Sequence, residues 1–360
     1  HTGDVMDTSS SSHSDSDADA SASLVVSAIR TGRESAAAAT FVDSISVQGN
    51  IPTGLAFNTD GTKMFVTNVT NDDIDEYTLS TGFDVSTASY DSNFSVASQD
   101  GGPQGIAFNT DGTKMFIGGK DNGKVFEYTL STGFDVSTAS FVDGFSISSQ
   151  ETHISDLAFS TDGTKMFIVG TNSKSVFEYN LSTGFDVSTA SYVDGYSVSS
   201  QETLPTGLEF SADGKRMFIT GNNGDDVTEY KLTTAFDVST ASHVGQFDVS
   251  SQETQASSIA FNAEGTKMFV LGYNGDDVNE YNLTSAFRVA NDTGSVGSEL
   301  IGAYGTLTMS ANGSYTYAAN SSIEGLDSGE SVYDYFTYTV DDQLNDNSTD
   351  TAELKITVLG

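Results

Sequence analysis

The feature that most restricts this chain is a self-repeat. The string Phe57-Asn58-Thr59-Asp60-Gly61-Thr62-Lys63-Met64-Phe65 returns in closely related form at 108–116, 159–167, 210–218 and 261–269, each time 51 residues further on. Every copy continues into a Glu-Tyr pair (76–77, 127–128, 178–179, 229–230, 280–281) and then into a segment of the type Gly82-Phe83-Asp84-Val85-Ser86-Thr87. Within a copy, 54–57 reads as a strand and 58–61 as a tight turn whose glycine supplies positive φ. Residues 62–66 form the returning strand, 74–79 a third and 89–96 a fourth. Four short antiparallel strands per repeat of this length are the pattern of a β-propeller blade. A lone blade cannot bury both faces, so the copies must stack about an axis.

The ends of the array predict how the stack closes. Residues 41–47 match only the fourth strand of a repeat, as in 141–147, and after 279–283 the pattern diverges at Ala290. The fourth strand missing from the last copy is thus found ahead of the first, which predicts a clasped ring of five blades over 41–290. An open solenoid is the alternative; it calls for polar capping repeats, which the array lacks.

Outside the ring the chain changes character. Residues 1–40 form a Ser/Asp-rich arm, with 24–29 a candidate donated strand. The opening at His1, without a charged-then-apolar leader, is read as a removed leader or a fragment. From 291 to 360 the repeat gives way to a hairpin at 305–317 with an Asn-Gly turn, then alternating runs at 331–340 and 351–359, which together read as a small β-sandwich. The predicted class is all-β.

Gly302-Ala303-Tyr304-Gly305-Thr306-Leu307, Asn312-Gly313-Ser314-Tyr315-Thr316-Tyr317, Gly329-Glu330-Ser331-Val332 and Phe336-Thr337-Tyr338-Thr339-Val340 resemble a VCBS-type repeat, an Ig- or cadherin-like module. The resemblance spans 293–360 and departs from the family at 341–345, where the family has a glycine-rich turn. It implies a bacterial or archaeal surface adhesin, exported and extracellular. The propeller repeats are similar to those of marine microbial and phage surface proteins.

Charge removes several partners. With 14 Lys plus Arg against 50 Asp plus Glu, the net charge of −36 offers no basic footprint for nucleic acid or anionic lipid. No apolar run is long enough to span a bilayer, so direct membrane insertion is not expected. The chain has no Cys and only four His, which excludes thiolate catalysis and cysteine-ligated zinc.

Comparing copies separates scaffold from candidate site. Strands alternate in direction, so first-to-second and third-to-fourth connections share one end of the ring, where the sequence is nearly constant. The second-to-third and fourth-to-first connections share the other, where it varies, and a ligand surface belongs there. The candidate partner-binding residues are Asp72, Asp73, Lys120, Lys124, His153, Asp225, Asp226, Tyr273, Asn274, Asp276 and Asp277, facing a glycan or protein. Leu24, Val25, Val26 and Ile29 are candidate assembly residues for self-association. The acidic doublets, and Asp341, Asp342 and Asp346, are candidate calcium ligands; no other cofactor is implied.

The repeated Glu at 76, 127, 178, 229 and 280 faces Lys63, Lys114, Lys165, Arg216 and Lys267 on the neighbouring strand, and reads as a cross-strand ion pair in each blade. Catalysis in such a ring needs unlike acids peculiar to single blades inside the channel, as in a glycoside hydrolase. The acids mostly repeat, and the unique Glu209 reads as a strand position, so no catalytic residue is assigned and a non-enzymatic surface protein acting in adhesion or self-assembly is expected. The alternatives are a filament or sheath subunit joined by donor-strand exchange, a phage or virus fibre that recognises a host, and a glycoside hydrolase.

Overall fold

The computed structural model describes residues 2–4, 25–31, 38–284, 286–289, 293–294, 296–302, 304–319, 331–341 and 349–359. The chain divides into two compact units, one formed by 39–290 and the other drawing on 1–38 and 291–360.

The first unit is the ring of five blades. Blade 1 pairs Pro52–Phe57, Lys63–Asn68, Asp73–Leu79 and Ala88–Ser95 in chain order, and blades 2 to 4 repeat this arrangement. Blade 5 takes Ala256–Phe261, Lys267–Gly272 and Asp277–Leu283 from the end of the array and Ala39–Ser46 from its beginning. In that clasp Tyr281 faces Phe41 and Leu283 faces Ala39, the same register by which Tyr77 faces Tyr90 and Leu79 faces Ala88 in blade 1. The five-bladed, clasped expectation is therefore met, with the clasp strand starting at Ala39.

The core lies between blades. In each seam a phenylalanine on the second strand of one blade packs on one from the first strand of the next, as in Phe65 with Phe108 at 4.6 Å and Phe116 with Phe159 at 4.5 Å between ring centroids. The seam between blades 5 and 1 repeats it with Phe269 and Phe57 at 4.6 Å. A third ring from the connector completes each set, Phe134 beside Phe108 and Phe83 beside Phe57. These connector phenylalanines adopt φ of 52° to 58°, a region that side-chain-bearing residues rarely occupy. Gly61 makes that posture feasible: its own φ is 70°, and a Cβ there would sit 2.3 Å from the Phe83 ring.

The repeated ion pairs are more than a cross-strand contact. Lys114 meets Glu127 at 2.7 Å and also donates to the carbonyl of Phe185 in blade 3, while the second oxygen of Glu127 accepts from the backbone N–H of Val187 at 3.1 Å. Blades 1, 2, 3 and 5 thus each grip the short 3-10 turn of the next, and in blade 4 Glu229 accepts from the Val289 N–H at 3.0 Å in the corresponding connector of blade 5. The grip closes the ring where Lys267 reaches the Phe83 carbonyl and Glu280 accepts from Val85. The carboxylates are buried, which makes these pairs costlier to break than solvent-exposed ion pairs.

The second unit has two four-stranded sheets. One runs Thr2–Asp4, Ser314–Ala319, Gly305–Met309, Glu299–Ile301, and the other Thr293–Gly294, Val25–Thr31, Ser331–Asp341, Thr349–Leu359. The expected Asn-Gly turn is present, with Gly313 at φ 83°. The expected donated strand needs correction. Val25, Val26 and Ile29 pair with Ser331–Asp341 of their own chain, and Val26 and Ile29 are buried in the core with Leu307, Phe336 and Leu354. Leu24 lies outside the described residues.

Candidate functional site

The first strands of the five blades pack side by side around the axis, so their alternate residues line a central channel. At the varied end the channel opens into a cavity of about 490 Å³ to which every blade contributes. Three rings of equivalent positions, 51 residues apart, supply its lining. The outermost has Ile51, His153, Leu204 and Gln255; the next has Thr53, Gln104, Ser155, Thr206 and Ser257; the third, at the end of each second strand, has Val69, Lys120, Thr171, Asn222 and Tyr273. The outer and third rings are joined by backbone hydrogen bonds, from Val69 N–H to the Ile51 carbonyl at 3.1 Å and from Tyr273 N–H to the Gln255 carbonyl at 2.9 Å. No side chain recurs within the third ring, whereas the seam residues recur in blade after blade.

A buried acid holds these loops in place. Glu151 accepts from the N–H groups of Thr152 and His153, both at 2.8 Å, and from the Ser173 N–H at 2.9 Å; Glu202 and Glu253 do the same work in blades 4 and 5, and Asp100 in blade 2. Room for the carboxylate comes from a glycine across the hairpin: a Cβ on Gly221 would lie 2.0 Å from Glu202. Blade 1 inverts the arrangement, with Gly49 in place of the acid and Asn68 in place of the glycine; Asn68 then supplies the cap, accepting from Thr70 N–H at 2.9 Å. The residue reading passed over these acids, although their own 51-residue spacing marks them as scaffold.

Three of the sequence-selected residues, Lys120, His153 and Tyr273, line the cavity. The remainder divide by role. Asp72, Asp225 and Asp276 take left-handed turn positions with φ of 46° to 52°. Asp73 and Asp226 begin third strands and are buried, accepting from Asn93 at 2.8 Å and from Gln246; burial pushes both carboxyls above the usual range. Asp277 is held likewise by Asn279 at 2.8 Å and is also raised by burial. Asn274 donates to Thr254 at 3.1 Å, and Lys124 is exposed. The doublets therefore build the hairpins and do not converge on the cavity. Among the described residues no group of three or more His, Asp or Glu is placed to hold a metal ion. Asp341 ends a strand opposite Val25 and Thr349; Asp342 and Asp346 lie outside the described residues.

Deeper in the channel two acids break the repeat. Where blades 1, 2 and 4 have Gly54, Gly105 and Gly207 and blade 5 has Ser258, blade 3 has Asp156; where the other blades have alanine, blade 4 has Glu209. Asp156 is buried and bridges three blades, accepting from Leu157 N–H at 2.8 Å, Leu208 N–H at 3.0 Å and the Ser258 hydroxyl at 3.2 Å. Burial holds its carboxyl well above the ordinary value despite those bonds. Glu209 lines a second cavity, of about 360 Å³, toward the constant end, and its deep position pushes it up to about 7. Position-by-position comparison of first strands exposes both residues; reading each strand alone hides them.

No family model and no curated protein matches this chain, and the VCBS resemblance gains no support there. Solved structures similar to it include a candidate 6-phosphogluconolactonase from Bacteroides uniformis (14% identity, 55% of each chain covered, TM-score 0.39). A counterpart from Bacteroides fragilis has 13% identity, 55% coverage of each chain and a TM-score of 0.37. The β-propeller domain of Cps50 (Swd1) from Myceliophteria thermophila has 11% identity and a TM-score of 0.40, with 68% of this chain and all of that one covered. This chain spans about half the length of the two lactonase-type structures.

The expectation that the chain is not an enzyme is withdrawn. It rested on acids that mostly repeat and on Glu209 as a plain strand position, whereas Glu209 lines a channel cavity and Asp156 is a second acid peculiar to one blade. Two of the similar structures are described as enzymes, although likeness at this level assigns no activity to this chain.

Proposed function

We propose that this chain is a recognition module of an exported surface protein, in which the varied-end cavity receives the terminal sugars of a glycan. One observation carries the reading: the lining positions, above all the ring Val69, Lys120, Thr171, Asn222 and Tyr273, differ from blade to blade, while the seams and grips around them repeat. A ring that only needed to fold has no cause to diversify there. The volume lies within the usual range for small-ligand sites, and the mixture of amide, hydroxyl, phenol and ammonium groups suits a polyhydroxylated ligand. Lys120, in a chain of net charge −36, favours a sugar bearing a carboxylate or sulfate. The resemblance of 293–360 to an adhesin module supports placing this activity at the cell surface.

A glycan panel tests the idea, followed by titration with the best binder. Lys120→Ala and Tyr273→Ala should each weaken binding about tenfold or more without changing the melting temperature by more than a degree or two. Undiminished binding in both variants, or no binder on the panel, discards the proposal.

A further inference from the structure

The constant end of the channel holds a different cavity, and its chemistry is not that of the mouth. Of the side chains lining it, Glu209 alone is ionisable; around it lie Ala56, Ala107, Ala158 and Ala260, with phenylalanines such as Phe108 and Phe159. One oxygen of Glu209 accepts from the Phe210 N–H at 2.9 Å, and its other oxygen has no hydrogen-bond partner among the described residues. Glu209 is half-buried, the exposed part lying against the cavity. The chain thus keeps a carboxylate with an unused acceptor inside a hollow whose other walls are alanine, phenylalanine, hydroxyl and, at Asn58 and Asn109, neutral amide groups, in a position where four blades manage with a methyl group.

We propose that this cavity is a second binding site, selective for a small organic cation, a primary or quaternary alkylammonium, with Glu209 as its counter-ion. A carboxylate so placed is costly to charge unless a cation accompanies it. Among the described residues, the other titratable group that interacts with it from a packed strand is Asp156, which adds negative charge and no competitor cation. Divalent metal is disfavoured, since calcium takes six to eight oxygens and a single carboxylate contributes here. An alkyl body fits the alanine ring, and aromatic walls tolerate positive charge. With the carboxyl near 7, binding below that pH displaces its proton to solvent.

Calorimetric titration with n-butylammonium and with tetramethylammonium, against n-butanol, butyrate and calcium chloride, tests the site on the full chain. The expected result is saturable binding of an ammonium probe, weaker by about tenfold or more in Glu209→Ala and unchanged in Lys120→Ala. Glu209→Ala installs the residue that the other four blades carry, so a folded variant is expected, and its melting curve verifies this. Equal binding of butanol reduces the site to an apolar hollow. Calcium displacing the ammonium makes it a metal site. Absence of ammonium binding, or full binding by folded Glu209→Ala, also overturns the proposal. Because the mouth variants are titrated in parallel, loss of the glycan reading leaves this outcome separate.

Discussion

The two ends of the propeller are made from the same repeat and treat it in opposite ways. At the constant end, Asn-Thr-Asp-Gly turns, left-handed phenylalanines and Lys/Glu grips recur because each closes a seam with the next blade, and a change in one copy has no compensating partner. At the varied end a buried acid and a facing glycine hold the hairpin from beneath, so the cavity-lining residues above are free to differ. Blade 1 shows how far this independence goes: acid and glycine trade for Gly49 and Asn68, and the hairpin survives. Divergence within a repeat array thus marks positions released from folding, and a cluster of such positions around one cavity marks use.

The contrast can be tested by substitution, beginning at the constant end. Glu178→Ala strips Lys165 of its counter-ion and leaves the Val238 N–H without its acceptor, so about 3 kcal/mol of stability should be lost in chemical denaturation. A loss below about 1 kcal/mol breaks the idea that the grips govern the seams. Gly163→Ala comes next, at about 2 kcal/mol, because it forces a side chain onto φ 69° and into the Phe185 ring.

Glu209 has a pH signature of similar size. Its folded carboxyl is raised to about 7 from an unfolded value of 4.5, so its contribution is fully present below pH 4.5 and is lost as pH rises through 7. Unfolding of the parent relative to Glu209→Ala should therefore show a deficit that grows by on the order of 3 kcal/mol between pH 4.5 and 8. A parallel pair of curves shows that the carboxyl is not raised. At the small end, Tyr273→Val, which installs the residue of blade 1, should change stability by no more than about 0.5 kcal/mol. A larger loss makes that ring part of the scaffold.

Much of this architecture is legible in the residues because a repeat is an internal control. The spacing of Phe57 and its counterparts counts the blades, the orphan segment at 41–47 declares the clasp, and the Glu/cation register predicts the pairs. What stays hidden depends on contacts between blades. The second oxygen of Glu76 reaches Val136, 60 residues away, and nothing local to either residue announces it. Asp156 and Glu209 look like ordinary strand polar positions until the first strands are set around an axis. Asp72, Asp225 and Asp276 mislead in the other direction, because acidity in a loop suggests a ligand and the backbone instead uses these residues as left-handed corners. The arm at 24–29 is legible as a strand but not as to its partner, which is fixed by the edge beside Ser331–Asp341.

Both units are completed by strands that lie far ahead, along the chain, of the strands they pair with. Ala39–Ser46 waits for Asp277–Leu283, and Val25–Thr31 waits for Ser331–Asp341, one pairing nested inside the other. Blades 1 to 4 can each condense from contiguous chain, but ring closure is a long-range event with a large loop to close. Until it happens, the third strand of blade 5 presents an unpaired edge that any extended segment can occupy. The interval between the emergence of Leu283 and the docking of Ala39–Ser46, more than the strength of any single blade, sets how long the nascent chain is exposed to mispairing.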